Sequence, residues 1–303
     1  MLRVRNQVGC TKEIVKSCEK EAVTIAMLDT GIAKHPDFDN RIIAFRDFVN
    51  KKTDIYDDSG HGTHVAGCMC GSGKVSDGKY AGINPYGTLV VGKVLDNKGD
   101  GMIENMIDGI NWVLENRAVY NIRILNISIG MGECSDPQRM RRLLAKVDEA
   151  WNSGLVVVCA AGNSGPKPMS LSPIGAQKKV ITVGCHEGGY FGNKKNLCEN
   201  YSGRGPSLYE MKKPDIVAPG TDIISCNAFV KKSGKDYKNP YVTKSGTSMA
   251  TPIVSGAVAL LLQKYPWFTN EQVKRKLQYT AKDLKEPWNK QGFGMLQVNS
   301  LLT

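Results

Sequence analysis

No run of 18 apolar residues occurs in this 303-residue chain, so no segment reads as a transmembrane helix. The longest apolar stretch, Ile253–Leu262, is interrupted by Ser255 and Gly256. Met1-Leu-Arg-Val-Arg-Asn carries charge but leads into no apolar segment and no small-residue cleavage site, so it does not read as a signal peptide. CxxC is absent, and so is HExxH, the usual zinc-protease helix. Only 4 histidines are present, which leaves little for a multi-histidine metal centre. GxSxG fails as well: Gly246 precedes Ser248 by two residues, but Ala stands at 250, which excludes the nucleophile elbow of an α/β-hydrolase. There is no internal repeat, low-complexity tract or linker.

The composition that remains is that of a globular domain, with 41% hydrophobic and 23% charged residues. Its 40 basic against 29 acidic residues give +11. Residues 231–290 hold 12 Lys/Arg and 4 Asp/Glu, scattered and without a nucleic-acid motif. They read as a solvated basic face, with neither a nucleic acid nor a membrane as partner. Nine cysteines cannot all pair internally. Several fall in strand-like apolar runs, where a reduced Cys behaves as a small hydrophobe. The expectation is free thiols, no disulfides and a cytoplasmic location, or a secreted one if the chain is a trimmed mature form.

Apolar runs and helical periodicity alternate. Strands are expected at Val23–Leu28, Thr88–Leu95, Ile122–Ser128, Leu155–Ala160 and Val180–Cys185. Helices are expected at 102–117, after Asp136-Pro137, at Ser248–Lys264 and at Thr269–Thr280. This alternation predicts a three-layer α/β/α fold around a central, mostly parallel sheet. It forms one domain over residues 23–303, preceded by a short extension, residues 1–22. Active sites in such sheets lie at the carboxyl ends of strands.

Three stretches carry nucleophilic chemistry. Asp29 follows a buried strand, His61 opens His61-Gly-Thr-His64-Val-Ala-Gly67, and Ser248 sits in Ser245-Gly-Thr-Ser248-Met-Ala-Thr-Pro252 at the start of an apolar helix. A serine hydroxyl needs a base to take its proton, and the base needs a carboxylate to orient it. Each piece alone has a plainer reading: a turn at Asp29, an N-cap at Ser248, a metal pair at His61 and His64. Their joint occurrence favours a triad. Asn163, in Ala160-Ala-Gly162-Asn163-Ser-Gly165 after a strand, reads in isolation as a turn.

These blocks, in the order Asp29, His61, Ser248, resemble the subtilisin-like serine proteases, the subtilases, over nearly the whole chain. The resemblance implies a serine endopeptidase that works through an acyl-enzyme on polypeptide substrates and requires no cofactor. It makes the Asn163 stretch an oxyanion-hole loop, in which the Asn163 amide donates to the developing anion beside the Ser248 backbone N–H. It implies that Gly99, Asp100 and Gly101, with Ser128, Ile129 and Gly130, flank an extended peptide as an added strand. Ile103 and Met106 would line an apolar pocket. Ala160, Ala161 and Gly162, with Ser128–Gly130, would wall the pocket beside the cut bond. It further implies a cis Ser172–Pro173 bond at that pocket's floor, with Leu171 narrowing it toward medium apolar side chains. The Asn-rich calcium loop of secreted members is replaced by Cys68–Lys79, which has one acid and two lysines. Asp57 and Asp58 remain as candidate ligands of a weaker calcium site. A peptide-binding protein without turnover is the competing class, and it fits less well because all three triad residues and Asn163 are present.

Overall fold

The structure, a computed structural model, describes residues 1–18, 22–129, 136–206, 212–234 and 236–303. Seven strands form the central sheet: β1 (Thr24–Asp29), β2 (Ile42–Asp47), β3 (Thr88–Lys93), β4 (Ile122–Ile127), β5 (Val156–Ala160), β6 (Ile181–Cys185) and β7 (Ile216–Ala218). Their spatial order is β2-β3-β1-β4-β5-β6-β7, and every neighbouring pair is parallel. β1 and β5 are buried at every position, which is why they read as unbroken apolar runs instead of alternating ones.

Two short helices, α1 (Leu2–Gln7) and α2 (Lys12–Ser17), precede β1. The principal helices are α3 (His61–Cys70), α4 (Ile103–Glu115), α5 (Pro137–Asn152), α6 (Thr247–Lys264) and α7 (Asn270–Thr280). α3 packs on α6 and α4 on α5, so helices cover the sheet in two groups, as the alternation predicts. α6 is buried from Thr247 to Gln263, the interior helix expected of its nearly all-apolar sequence. Asp136 caps α5 by accepting from Gln138 N and Arg139 N, with Pro137 in the first turn. Thr269 and Gln272 close a capping box on α7.

Four strands lie outside the main sheet. β8 (Ile223–Cys226) pairs antiparallel with β11 (Tyr241–Lys244), and the hairpin between them contains β9 (Lys231–Ser233) and β10 (Asp236–Lys238). They were not expected from the sequence: β9 and β10 are exposed and lysine-bearing, and β8 and β11 are only four residues each, too short for a clear period.

The chain builds from β1 toward β2 and β3 on one side, then crosses to β4 and onward on the other. The strand order therefore reverses beside β1. At such a switch point the crossovers leave opposite ways and open a crevice at the carboxyl ends of the strands. Asp29 is the last residue of β1.

Candidate active site

α3 begins directly against the end of β1, and the local sequence requires this. A Cβ on Gly62 would lie 2.1 Å from Gly31 O, so only glycine allows the approach. The N-cap of α3, Gly60, has no side chain to offer. Asp57 supplies the cap from outside: Oδ2 accepts from Thr63 N (2.8 Å) and Thr63 Oγ1 (2.6 Å), and Oδ1 from Gly60 N (2.8 Å), Ser59 N (3.2 Å) and Thr30 Oγ1 (2.8 Å). Burial pushes the Asp57 carboxyl up, but these donors outweigh it and hold the group below the usual carboxylate range. Thr30 Oγ1 in turn accepts from Gly62 N at 2.9 Å. The residue after Asp29 and the residue after His61 are thus fastened together.

His61 consequently sits over Asp29. Its Nδ1–H donates to Asp29 Oδ1 at 2.7 Å, and the same oxygen accepts from Thr30 N at 2.7 Å. A carboxylate only accepts, so in neutral His61 the proton is on Nδ1 and the Nε2 lone pair is open. Burial opposes the imidazolium, yet the charge and hydrogen bond of Asp29 outweigh it and raise the His61 pKa above 6.5. Asp29 is fully buried, and its Oδ2 has no partner among the described residues.

Ser248 is the second residue of α6, inside the helix and not its N-cap, which is Gly246. Among the described residues no hydrogen bond joins its hydroxyl to His61. Asn163 lies just beyond β5, and its Oδ1 accepts from Thr247 N and Thr247 Oγ1, both at 3.1 Å. That assignment turns Nδ2 toward Gly246. Asn163 Nδ2, Asn163 Oδ1 and Ser248 N lie 3.6, 3.8 and 3.9 Å from the point where a Cβ on Gly246 would stand. Two N–H donors therefore border one small space, which Gly246, at φ +146°, leaves unfilled.

The remaining expected site residues are placed as follows. Gly99 (φ +85°) turns the loop after β3, where Asp96 Oδ1 accepts from Lys98 N and Asp100 N. Asp100 and Gly101 are exposed. Ile103 and Met106 are 7% and 2% exposed, so both belong mainly to the core; the apolar side chain that reaches solvent here is Met102, 65% exposed. Ser128 is buried and accepts from Asn126 Nδ2 at 2.9 Å; Ile129 is also buried, and Gly130 lies outside the described residues. Ala160 and Ala161 are buried, and Gly162 turns at φ +92°.

Two expectations are corrected. Cis bonds occur at Gly165–Pro166 and Lys213–Pro214, not at Ser172–Pro173. Ser172 folds back onto the end of β5 through its N–H to Ala161 O (2.8 Å) and its Oγ–H to Ala160 O (2.9 Å), and Pro173 continues into a turn. Asp57 and Asp58 do not suit calcium, which needs oxygen lone pairs directed at it. The Asp57 oxygens face N–H and O–H donors, and Asp58 Oδ1 binds the Lys93 ammonium at 2.7 Å. Nor do His61 and His64 form the metal pair over which the triad was favoured: His64 is fully buried and its Nε2–H is shared between Ile223 O (2.9 Å) and Val242 O (3.2 Å). Burial lowers its pKa to about 3.

Lys93 is the residue that sequence reading passed over. It is fully buried, and its Nζ donates to Thr30 O (2.7 Å), Asp58 Oδ1 (2.7 Å) and Leu95 O (2.9 Å). One side chain thereby ties the end of β1, the loop into α3 and the start of the loop after β3. The available signal was a charged residue inside the apolar run Thr88–Leu95, since lysine is almost never fully buried unless partnered.

Comparison with known proteins places this geometry in context. Residues 20–295 match the model of the subtilase family. Serine protease AprX of Bacillus subtilis (strain 168) is 40% identical over 290 residues, covering 91% of this chain and 66% of that protein. The chain thus spans just under two thirds of that relative's length. Subtilisin DY of Bacillus licheniformis is 33% identical over 282 residues, covering 92% of this chain and 90% of that one. Among solved structures, S41 psychrophilic protease superposes with a TM-score of 0.76 at 29% identity, covering 91% of each chain.

Proposed function

This chain belongs to the subtilase family, and from that premise we propose that it is a serine endopeptidase whose triad is Asp29, His61 and Ser248. The observation that carries the reading is the 2.7 Å bond from His61 Nδ1 to buried Asp29, which leaves Nε2 open at the crevice beside β1. Ser248 Oγ attacks the substrate carbonyl carbon as His61 Nε2 takes its proton. Asp29 stabilises the imidazolium formed. Asn163 Nδ2 and Ser248 N donate to the carbonyl oxygen as it becomes an anion, helped by the positive end of α6. The C–N bond breaks, and the same proton passes from His61 to the leaving amine. Water then repeats the sequence on the acyl-enzyme. Catalytic hydrogen bonds are commonly long before substrate arrives, which accommodates a Ser248 hydroxyl that is not bonded to His61 among the described residues.

On the acyl side, Gly99–Gly101 and Ser128–Gly130 hold the peptide as an added strand, and Ala160–Gly162 bounds a pocket of broad or apolar preference. Residues 1–22 serve as an extension clamped to the catalytic domain of residues 23–303. Arg3 binds Glu187 Oε2 (2.8 Å) and Thr221 O (2.5 Å), and Val298 N binds Val8 O (2.7 Å). A reducing, cytoplasmic setting is supported by eight described cysteines, all buried and none in a disulfide. Titrating the denatured, unreduced chain should return all nine thiols of the sequence.

The decisive experiment is labelling with a serine-directed fluorophosphonate, mapped by peptide mass spectrometry. The label should fall on Ser248 and vanish in Ser248→Ala together with peptide hydrolysis. Hydrolysis that persists in Ser248→Ala, or a label on another serine, overturns the assignment.

A further inference from the structure

The antiparallel ribbon β8–β11 belongs to no layer of the main fold, yet it is fastened beside the site. His64, one turn along α3 from His61, bonds both of its strands through Ile223 O and Val242 O. β11 ends at Lys244, four residues before Ser248. Lys244 is half-buried and has no acidic partner among the described residues. It is close enough that its charge works against the His61 imidazolium.

The ribbon continues past the front of α3. Phe229, 57% exposed, comes within 3.2 Å of where a Cβ on Gly60 would stand, next to His61. Beyond it opens a pocket of about 370 Å³, bounded by Lys34 and His35 on one wall and Lys232 and Tyr237 on the other. Lys34 and Lys232 are exposed and form no ion pair among the described residues. The acid at this rim, Asp39, is already bound to Lys74 at 2.9 Å. From Lys244 back to Tyr241, β11 covers about 10 Å, the length of three residues of extended peptide.

The leaving amine takes its proton from His61, so the chain beyond the cut must pass His61 and Gly60. The loops after β3, β4 and β5 are assigned to the acyl side. The leaving side therefore faces Lys244, Phe229 and the pocket. We propose that this face is a basic subsite that reads acidic side chains C-terminal to the scissile bond. Lys244 serves the first or second residue after the cut, and the Lys34–Lys232 pocket serves residues two or three further on. The proposal rests on the endopeptidase reading above and adds a substrate class to it.

The test uses quenched fluorescent peptides identical on the acyl side, with Asp, Asn or Lys at each of the four positions after the cut. The expected order of kcat/KM is Asp, then Asn, then Lys, by about two- to fivefold per charge at low salt, shrinking at high salt. Lys244→Gln should erase the preference nearest the cut, and Lys34→Gln with Lys232→Gln the outer one. Ratios are taken within each variant, so any common change in turnover cancels. Equal rates for Asp and Lys peptides, or a preference that survives all three substitutions, would overturn the subsite. Direct binding of the same peptides to Ser248→Ala separates the two proposals. If no peptide is cut, the endopeptidase reading fails, while tighter binding of the Asp peptide still supports the subsite and equal binding still refutes it.

Discussion

Replacing Lys93 with Met removes the ammonium at the junction of three site-bearing segments but keeps most of the side-chain volume. Thr30 O and Leu95 O then lose a buried donor. Orphaning a buried acceptor costs about 1–3 kcal/mol each. The Asp58 side chain is 39% exposed, so water can replace its bond and it adds less than about 1 kcal/mol. Relief from burying a cation offsets part of the sum, leaving a net loss of about 3 kcal/mol. Unfolding entropy near 2.1 cal/mol/K per residue over 303 residues converts this to a fall in Tm of about 5 °C. Calorimetry on covalently inhibited enzyme would measure it without self-digestion. Because Thr30 adjoins Asp29 and Asp58 leads into His61, kcat/KM should fall by about tenfold or more as the triad loses its placement. Lys93→Arg should not rescue, since the site is fully enclosed and a guanidinium is larger. A Met variant melting within about 1 °C of the parent with full kcat/KM would refute the reasoning, for Lys93 would then be neither anchor nor positioning residue.

Three further outcomes are expected. His61 acts as a base only when neutral and its pKa is raised above 6.5, so kcat/KM should climb with pH to a half-maximum above 6.5; Lys244→Gln should move that inflection higher, and an inflection below 6.5 in the parent would contradict the Asp29 pairing. Asn163→Ala should lower kcat by about 10²–10³ with KM little changed, and it should also melt earlier because Thr247 N and Oγ1 lose their acceptor; a large rise in KM at constant kcat would show instead that Asn163 only holds substrate. His64 has a folded pKa of about 3 against 6.5 unfolded, so its contribution to stability is complete above pH 6.5 and drains away as pH falls toward 3. Between pH 6.5 and 5 the loss should reach about 2 kcal/mol in melts of Ser248→Ala, and His64→Gln should flatten that limb; an unchanged limb would place the acid sensitivity elsewhere.

Much of the fold was legible because its signals are local. Asp136-Pro137 and Thr269 announce helix starts within one turn, and both cap as their sequences suggest. Runs such as Thr24–Asp29 declare buried parallel strands through composition alone. Ile103 and Met106 illustrate the limit: helical spacing places them on the apolar face of α4, but whether that face meets a substrate or the core depends on what packs against it. β9–β10 and the pocket they border gave no apolar period to detect.

What the sequence by itself determined is the set of blocks and elements: a parallel α/β sheet, and Asp29, His61, Asn163 and Ser248 at the ends of its strands and helices. Each follows from short-range rules of period, capping and glycine clearance. Only the tertiary structure decided which groups those residues meet. Asp57 and Asp58 are adjacent carboxylates in the sequence, yet one caps α3 and the other binds Lys93 from a different strand. Lys93 reaches Thr30 because β3 lies beside β1 in a register that sets Lys93 opposite Asp29. Register and crossover are fixed by burial summed over whole strands, so the partner of a buried charge is a property of the assembled sheet and not of the residues flanking it.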